Sequence, residues 1–188
     1  MKLSKKFSLK IPKDIQIIYY KNKNFITLIG PIGKKTLQLK LKIIFKNDCI
    51  YITNISNERN LKIRKKLLKA LCGTTTALLK QAVLEISIIL TKKLKLIGVG
   101  YKVFPVNLEN KQFLEFKLGF SHSIYYKIPK TLEVKPVKSI FIYIFGNSYS
   151  SVTQIAANIR SYKLPEPYKG KGILYDNENI LLKEGKKV

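Results

Sequence analysis

Apolar and polar positions alternate through the first fifty residues with the period of two that belongs to half-buried strands. The runs 15-IQIIYY-20 and 25-FITLIG-30 flank the turn-forming Lys21 to Asn24, which predicts a hairpin. From Lys35 to Phe45, Leu37, Leu39, Leu41 and Ile43 alternate with Gln38, Lys40 and Lys42, so this segment reads as a third strand. Asn47-Asp48 turns the chain into a fourth, 49-CIYIT-53. The period then changes. Ser56 or Asn57 can cap a helix in which Leu61, Leu68, Leu71, Cys72 and Leu79 share one face, with a soft spot at Gly73 and an end near Ile89. Lys62, Lys65, Lys66 and Lys69 occupy other positions of that helix, as a solvated face would.

The second half repeats the order of strands followed by a helix. Strands are expected from Leu94 to Val103, over 112-QFLEFKLGF-120, 124-IYYKI-128 and 140-IFIYIF-145, with a turn at Asn107 to Asn110. Gly146-Asn147 is then expected to cap a helix carrying Val152, Ile155, Ala156 and Ile159 at helical spacing. A short echo, 10-KIPKDIQI-17 against 127-KIPKTLEV-134, hints at duplication, although it does not align the hairpins of the two halves. The expected fold is α+β: two similar small modules, each an antiparallel sheet with a helix on one face, plus an extended basic C-terminal tail. The boundaries are 1–91, 92–162 and 163–188.

Charge changes this picture. The chain of 188 residues has a formal net charge of +25, from 36 basic and 11 acidic residues. Such self-repulsion calls for a polyanionic partner. Nucleic acid is the first candidate, through release of condensed counterions, and an anionic membrane surface is the alternative. No apolar run reaches the ~20 residues of a membrane span, and an amphipathic helix with an aromatic apolar edge is missing. Lysine supplies nearly all of the positive charge, since arginine occurs only at positions 59, 64 and 160. Together with asparagine, isoleucine, tyrosine and phenylalanine it makes up roughly half of the chain. All of these residues have A/T-rich codons, which suggests an A/T-rich genome such as that of an organelle. Two cysteines without metal-ligand spacing suggest buried thiols and a reducing compartment.

Catalysis is poorly supplied. His122 is the sole histidine, in the turn 119-GFSHS-123, and the acids are scattered. The sequence 98-GVGYK-102 lies within a strand pattern and lacks the third glycine of a dinucleotide fingerprint. No enzyme activity, cofactor or metal is expected. The segment 162-YKLPEPYKGKGILY-175 is more informative. Pro165 and Pro167 fix φ, Gly170 and Gly172 permit close approach, and Lys163, Lys169 and Lys171 supply charge. Tyr168 and Tyr175 can stack on exposed bases. Stiff, loose, cationic and aromatic positions in alternation suit the irregular surface of folded RNA.

The stretch 164-LPEPYKGKGILY-175 resembles the signature of the bacterial-type large-subunit ribosomal protein six family. The segments 73-GTTTALL-79, 93-KLKLIGVGYK-102 and 118-LGFSH-122 match that family in order and spacing, and the basic end with Lys183, Lys186 and Lys187 fits as well. The resemblance covers the chain from Pro12 onward. It implies two related α+β modules and no catalysis. It also implies binding to large-subunit ribosomal RNA, mainly through the second module and tail, near the factor-binding and sarcin–ricin side. The RNA-binding residues it suggests are Lys93, Lys95, Tyr101, Lys102, Arg160, Lys163, Tyr168, Lys169, Gly170, Lys171, Gly172, Tyr175, Lys186 and Lys187. Implied partners are that RNA and neighbouring ribosomal proteins, without homo-oligomers, on a mitochondrial ribosome or alternatively in a plastid or bacterial-type cytoplasm. The chain departs from the family at Leu174, where a basic residue is common. It also departs at Thr76 (arginine), Cys72 (histidine) and Glu85 (glycine).

Overall fold

The computed structural model describes residues 7–46, 49–56, 65–108 and 111–185. The chain divides into two compact units, Met1–Ile89 and Leu90–Val188.

The first unit contains β1 (Ser8–Lys10), β2 (Gln16–Tyr20), β3 (Phe25–Ile29), β4 (Lys34–Gln38), β5 (Leu41–Lys46), β6 (Cys49–Ser56) and α1 (Lys65–Ser87). Its strands form two antiparallel sheets, β2-β3-β4 and β1-β6-β5. The strand expected over 35–45 is therefore two. Leu39 and Lys40 break it, Leu39 donates its N–H to the Asn24 carbonyl, and the chain passes from one sheet into the other. Ile26 and Leu28 from β3, Ile50 and Ile52 from β6, and Cys72, Leu79, Ala82, Val83 and Ile86 from α1 make one core. Burial of apolar surface at roughly 25 cal/mol per Å² holds the helix on the sheets.

Gly73 does not interrupt α1. The following threonines fold inward because their hydroxyls donate back along the helix, Thr75 to the Leu71 carbonyl at 2.8 Å and Thr76 to the Cys72 carbonyl at 2.6 Å. Burial pushes the Cys72 thiol up from its ordinary value, so it stays protonated and packs as a small apolar group. Glu85, also buried, is held by the Lys35 ammonium from β4 and by Gln81. Ser56 is the last residue of β6. Asn57, Leu61 and Lys62 and the turn Asn47-Asp48 lie outside the described residues.

The second unit contains β7 (Leu90–Ile97), β8 (Lys102–Leu108), β9 (Lys111–Lys117), β10 (Ile124–Lys127), β11 (Glu133–Val137), β12 (Phe141–Gly146), α2 (Tyr149–Ser161) and β13 (Gly172–Tyr175). One sheet has the order β10-β9-β8 and the other β11-β12-β7-β13, with every pairing antiparallel. The single strand expected from Leu94 to Val103 is broken by a turn at Gly98–Tyr101, where Gly100 takes φ +75°. As in the first unit, the break moves the chain between sheets. Helix α2 begins after Ser148, two residues beyond Gly146. Its Val152, Ile155, Ala156 and Ile159 cover Leu94, Leu96, Ile142, Ile144 and Ile173 of the four-stranded sheet. Val103, Leu114, Phe116 and Leu118 of the other sheet complete this core.

The fold is thus α+β, with two units that each contain antiparallel sheets and, among the described residues, one helix, as the sequence suggested. The segment after Arg160 departs from expectation. Residues 172–175 are an edge strand with Ile173 fully buried, so part of the tail is core.

Candidate nucleic-acid interface

Strand β13 pairs with β7 in the register Gly172 to Ile97, which sets the residues before Gly172 beside the turn that follows Ile97. Those residues, 163–171, form a closed loop. The N–H of Ile173 donates to the Lys163 carbonyl, that of Glu166 to the Lys171 carbonyl, and that of Gly170 to the Glu166 carbonyl, each at 2.9 Å. Glu166 therefore closes the loop through its backbone. The sequence compels this shape. Gly170 sits at φ +66°, a conformation with a steric cost for any residue bearing a Cβ. At Gly172 a Cβ would lie 2.6 Å from the Pro165 Cα, so the strand and the Leu164-Pro165 backbone touch directly. The prolines stiffen the outer arm, and Tyr168 and Lys169 are exposed at its tip. Lys183 donates its N–H to the Pro167 carbonyl, so the chain beyond β13 comes back to this loop.

Two other motifs converge here. The Tyr101 ring lies over Gly98, where a Cβ would come within 2.7 Å of it, and touches the position of Gly119 at 3.3 Å. It joins the GVGY turn to the LGFSH turn and is partly buried against the core. In the LGFSH turn, Phe120 stacks on His122 with centroids 5.9 Å apart and planes at 20°. The Lys163 ammonium sits 4.3 Å from the Phe120 centroid, a cation–π contact that ties the tail loop to this turn. Lys102 is exposed and faces Lys117 across the β8–β9 pair, adding like charge to the same end of the sheet. The groups brought together are Lys102, Lys163, Tyr168, Lys169, Gly170, Lys171 and Gly172, with Tyr101 as a spacer between turns.

Other expected site residues have partners within the chain. The Arg160 guanidinium grips Glu178 in a two-pronged ion pair, with Nε to Oε2 at 3.0 Å. It also lies 5.5 Å from the Tyr175 centroid. The hydrogen bonds to Arg160 lower the Glu178 pKa, and the same bonds raise that of Arg160. Glu178 also accepts the Tyr175 N–H at 3.1 Å. Arg160 and Tyr175 thereby fasten the end of α2 to the chain that follows β13. Lys93 pairs with Asp176 at 2.9 Å, which raises its pKa. Lys95 is exposed on the sheet face away from α2, and Lys186 and Lys187 lie outside the described residues. Leu174, where the family commonly has a basic residue, is 5% exposed and lies opposite Lys95.

Sequence reasoning read His122 as a structural or RNA-contacting turn histidine, but it did not assign Phe120 or Lys117 to this surface. The turn signal around Gly119 was readable, but its approach to Lys163 depends on packing between segments over forty residues apart. Among the described residues, no group of three or more His, Cys, Asp or Glu side chains could hold a metal ion. No described helix is long and apolar enough to cross a membrane.

Comparison with known proteins agrees with the motifs. The model of the family described as Ribosomal protein L6 matches residues 97–176, which contain the GVGY turn, the LGFSH turn and the tail loop. The large ribosomal subunit protein uL6 of Mycoplasma genitalium is 41% identical over 95% of this chain and 93% of its own length. The uL6m protein of Reclinomonas americana is 38% identical over 95% of both chains. The uL6 protein of Polynucleobacter necessarius is 34% identical over 97% of both. With such identity along nearly its whole length, the chain belongs to the ribosomal protein L6 family.

Proposed function

We propose that this chain is a structural, non-enzymatic constituent of the large ribosomal subunit. It binds large-subunit ribosomal RNA through one end of its second unit, near the factor-binding and sarcin–ricin side, among neighbouring ribosomal proteins. The observation that carries this reading is the convergence of three separate motifs on the hydrogen-bonded loop 163–171, with its lysines and Tyr168. A preformed loop loses little conformational freedom on binding, so its cations are spent on phosphate neutralisation and not on ordering the chain. Lys102, Lys163, Lys169 and Lys171 carry the charge, Tyr168 offers a stacking face, and Gly170 and Gly172 shape the backbone. Arg160 and Tyr175 act indirectly, by fixing the end of the loop to α2.

The membrane alternative is less well supported, since helix α1 carries exposed cations at Lys66 and Lys69 but has no aromatic residue between Lys65 and Ser87 to form a lipid-facing edge. Residence on a mitochondrial ribosome is the further part of the proposal. It is supported by the A/T-codon composition and by the uL6m relative. The mycoplasma relatives are the reason to test it by organelle fractionation, where sedimentation with a cytoplasmic ribosome would refute it.

The binding test is Lys169→Ala with Lys171→Ala. The loop is closed by backbone bonds that these changes leave intact, so the fold, followed by circular dichroism, should persist. The slope of log affinity against log salt for large-subunit RNA should shrink by roughly 1.5, the loss of about two phosphate contacts. An unchanged slope would show that the loop is a solvated appendage.

A further inference from the structure

The four-stranded sheet of the second unit has two unlike faces. Ile142 and Ile144 of β12 point into the core under α2. Phe141, Tyr143 and Phe145 alternate with them and therefore lie on the opposite face, on an interior strand of the order β11-β12-β7-β13. A strand places successive same-face side chains about 6.5–7 Å apart. Tyr143 and Phe145 follow this, with centroids 6.3 Å apart and planes within 13° of each other.

Lysines are interleaved with the rings. Across the strand pairs, Phe141 faces Lys95, and Tyr143 faces Lys93 on one side and Lys135 on the other. The Lys93 ammonium lies 4.8 Å from the Phe141 centroid and 5.8 Å from that of Tyr143, and Lys135 lies 5.9 Å from that of Phe145. The face also carries two carboxylates. Asp176 is paired with Lys93 at 2.9 Å and Glu133 with Lys135 at 2.6 Å. Both are matched, and Lys95 has no carboxylate partner among the described residues. The surface thus carries three half-buried rings in a row with lysine ammonium groups over them, and its excess charge is positive.

We propose that this face is a stacking platform for an unpaired stretch of RNA, two or three bases lying on Phe141, Tyr143 and Phe145 while Lys95 and its neighbours meet the phosphates. An unpaired strand alternates flat bases with phosphates, and so does this row of rings and lysines. A double helix fits poorly, since its bases are stacked on each other and hidden from a flat sheet. An acidic protein segment would meet the lysines but would leave three rings without a stacking partner. The platform is separate from the loop 163–171. It rests on the reading of the chain as RNA-binding only in so far as both surfaces would engage the same class of partner.

The test uses the full chain and a short unstructured oligouridylate containing photoreactive 4-thiouridine. The principal variant is Phe141→Ile, Tyr143→Ile and Phe145→Ile together, because isoleucine keeps strand propensity and apolar contact while removing the π faces. Crosslinks should map to residues 141–145 of the wild-type chain. The triple variant should keep its circular dichroism spectrum and bind the oligonucleotide at least about tenfold more weakly. Its affinity for duplex RNA should change less than twofold, whereas Lys169→Ala with Lys171→Ala should weaken duplex binding and leave the crosslinks at 141–145 in place. Wild-type oligonucleotide affinity in the triple variant, or crosslinks confined to other segments, would overturn the platform. So would loss of a neighbouring protein without change in RNA affinity. Neither of the first two results touches the loop, while a failed salt-slope test of the loop lysines leaves the platform standing.

Discussion

Single glycines in this chain have opposite duties, and the difference is set by what surrounds them. Gly73 lies inside α1 with open space where a Cβ would go, so Gly73→Ala should raise stability by about 0.5–1 kcal/mol through helix propensity. Gly172 faces backbone atoms of Leu164 and Pro165 within 2.8 Å, so Gly172→Ala must separate β13 from the loop or distort both. A loss of about 2–3 kcal/mol is expected, as for other overpacked sites. Denaturant midpoints of the two variants against wild type decide this, and shifts of the same sign would contradict it. Ionisation gives a second residue-scale expectation. The Arg160 ion pair holds Glu178 below the usual carboxylate range, so the folded state binds that proton less readily than the unfolded chain. The stabilisation is therefore complete above the ordinary value near 4.5 and is lost as pH falls through the lower folded value. Glu178→Gln should cost on the order of 1 kcal/mol at pH 7, and the gap from wild type should narrow toward pH 3 in matched denaturation curves. A gap that stays constant with pH would mean that the carboxylate charge is not what matters. The partners Arg160 and Glu178 could not be paired from sequence, because a turn, a loop and a strand intervene and only the folded register of β13 joins them.

At the scale of elements, period and turn chemistry located most strands, since half-burial on a sheet leaves an alternating trace. Places where the chain changes sheets were hidden. Both Leu39-Lys40 and Gly98–Tyr101 interrupt alternation that runs on past the break, so the pattern alone read one strand where the fold has two. Strand β13 was hidden for another reason. It is short, it begins in glycine, and three of its four residues are buried on both faces, which erases the alternation. The KIPK echo gains a meaning from the pairings. Ile15 donates to the Pro12 carbonyl between β1 and β2, and Leu132 donates to the Pro129 carbonyl between β10 and β11, so the echo marks the same turn in both units. Matching β1, β2 and β3 to β10, β11 and β12 then matches β4, β5 and β6 to β7, β8 and β9. The sheet orders β2-β3-β4 and β1-β6-β5 become β11-β12-β7 and β10-β9-β8. The strands of the second unit are those of the first in cyclically shifted order, which is why the echo failed to align the hairpins. The added strand β13 has no counterpart in the first unit, and its weight is testable. Ile173→Ala removes a fully buried side chain from under α2 and should destabilise the chain by about 2–5 kcal/mol. Loss of under 0.5 kcal/mol in chemical denaturation would return residues 172–175 to the status of a free arm.

The whole molecule carries a charge of +25, yet charge alone does not say where RNA binds. In the first unit, Lys34, Lys40 and Lys42 stand exposed on strands or at their ends, and Lys66 and Lys69 are exposed on α1. Such flexible lysines contribute a diffuse attraction that salt screens readily. In the second unit, cations lie on a loop closed by backbone hydrogen bonds, beside glycines that allow close approach, and around aromatic rings. Preorganised groups of this kind convert attraction into a defined contact. Residues 90–188 form a compact unit with their own core, so they should fold when produced alone. We expect that fragment to bind large-subunit RNA within about tenfold of the full chain at physiological salt, and residues 1–89 to bind at least about thirtyfold more weakly, with the two curves converging at low salt where diffuse attraction dominates. Circular dichroism establishes that each fragment is folded before binding is compared. In an assembled particle, the same reasoning requires more RNA contacts from the second unit than from the first. A first unit that bound as tightly as the second at physiological salt, or that dominated the contacts in the particle, would show that diffuse lysine charge and not the preformed surface carries recognition.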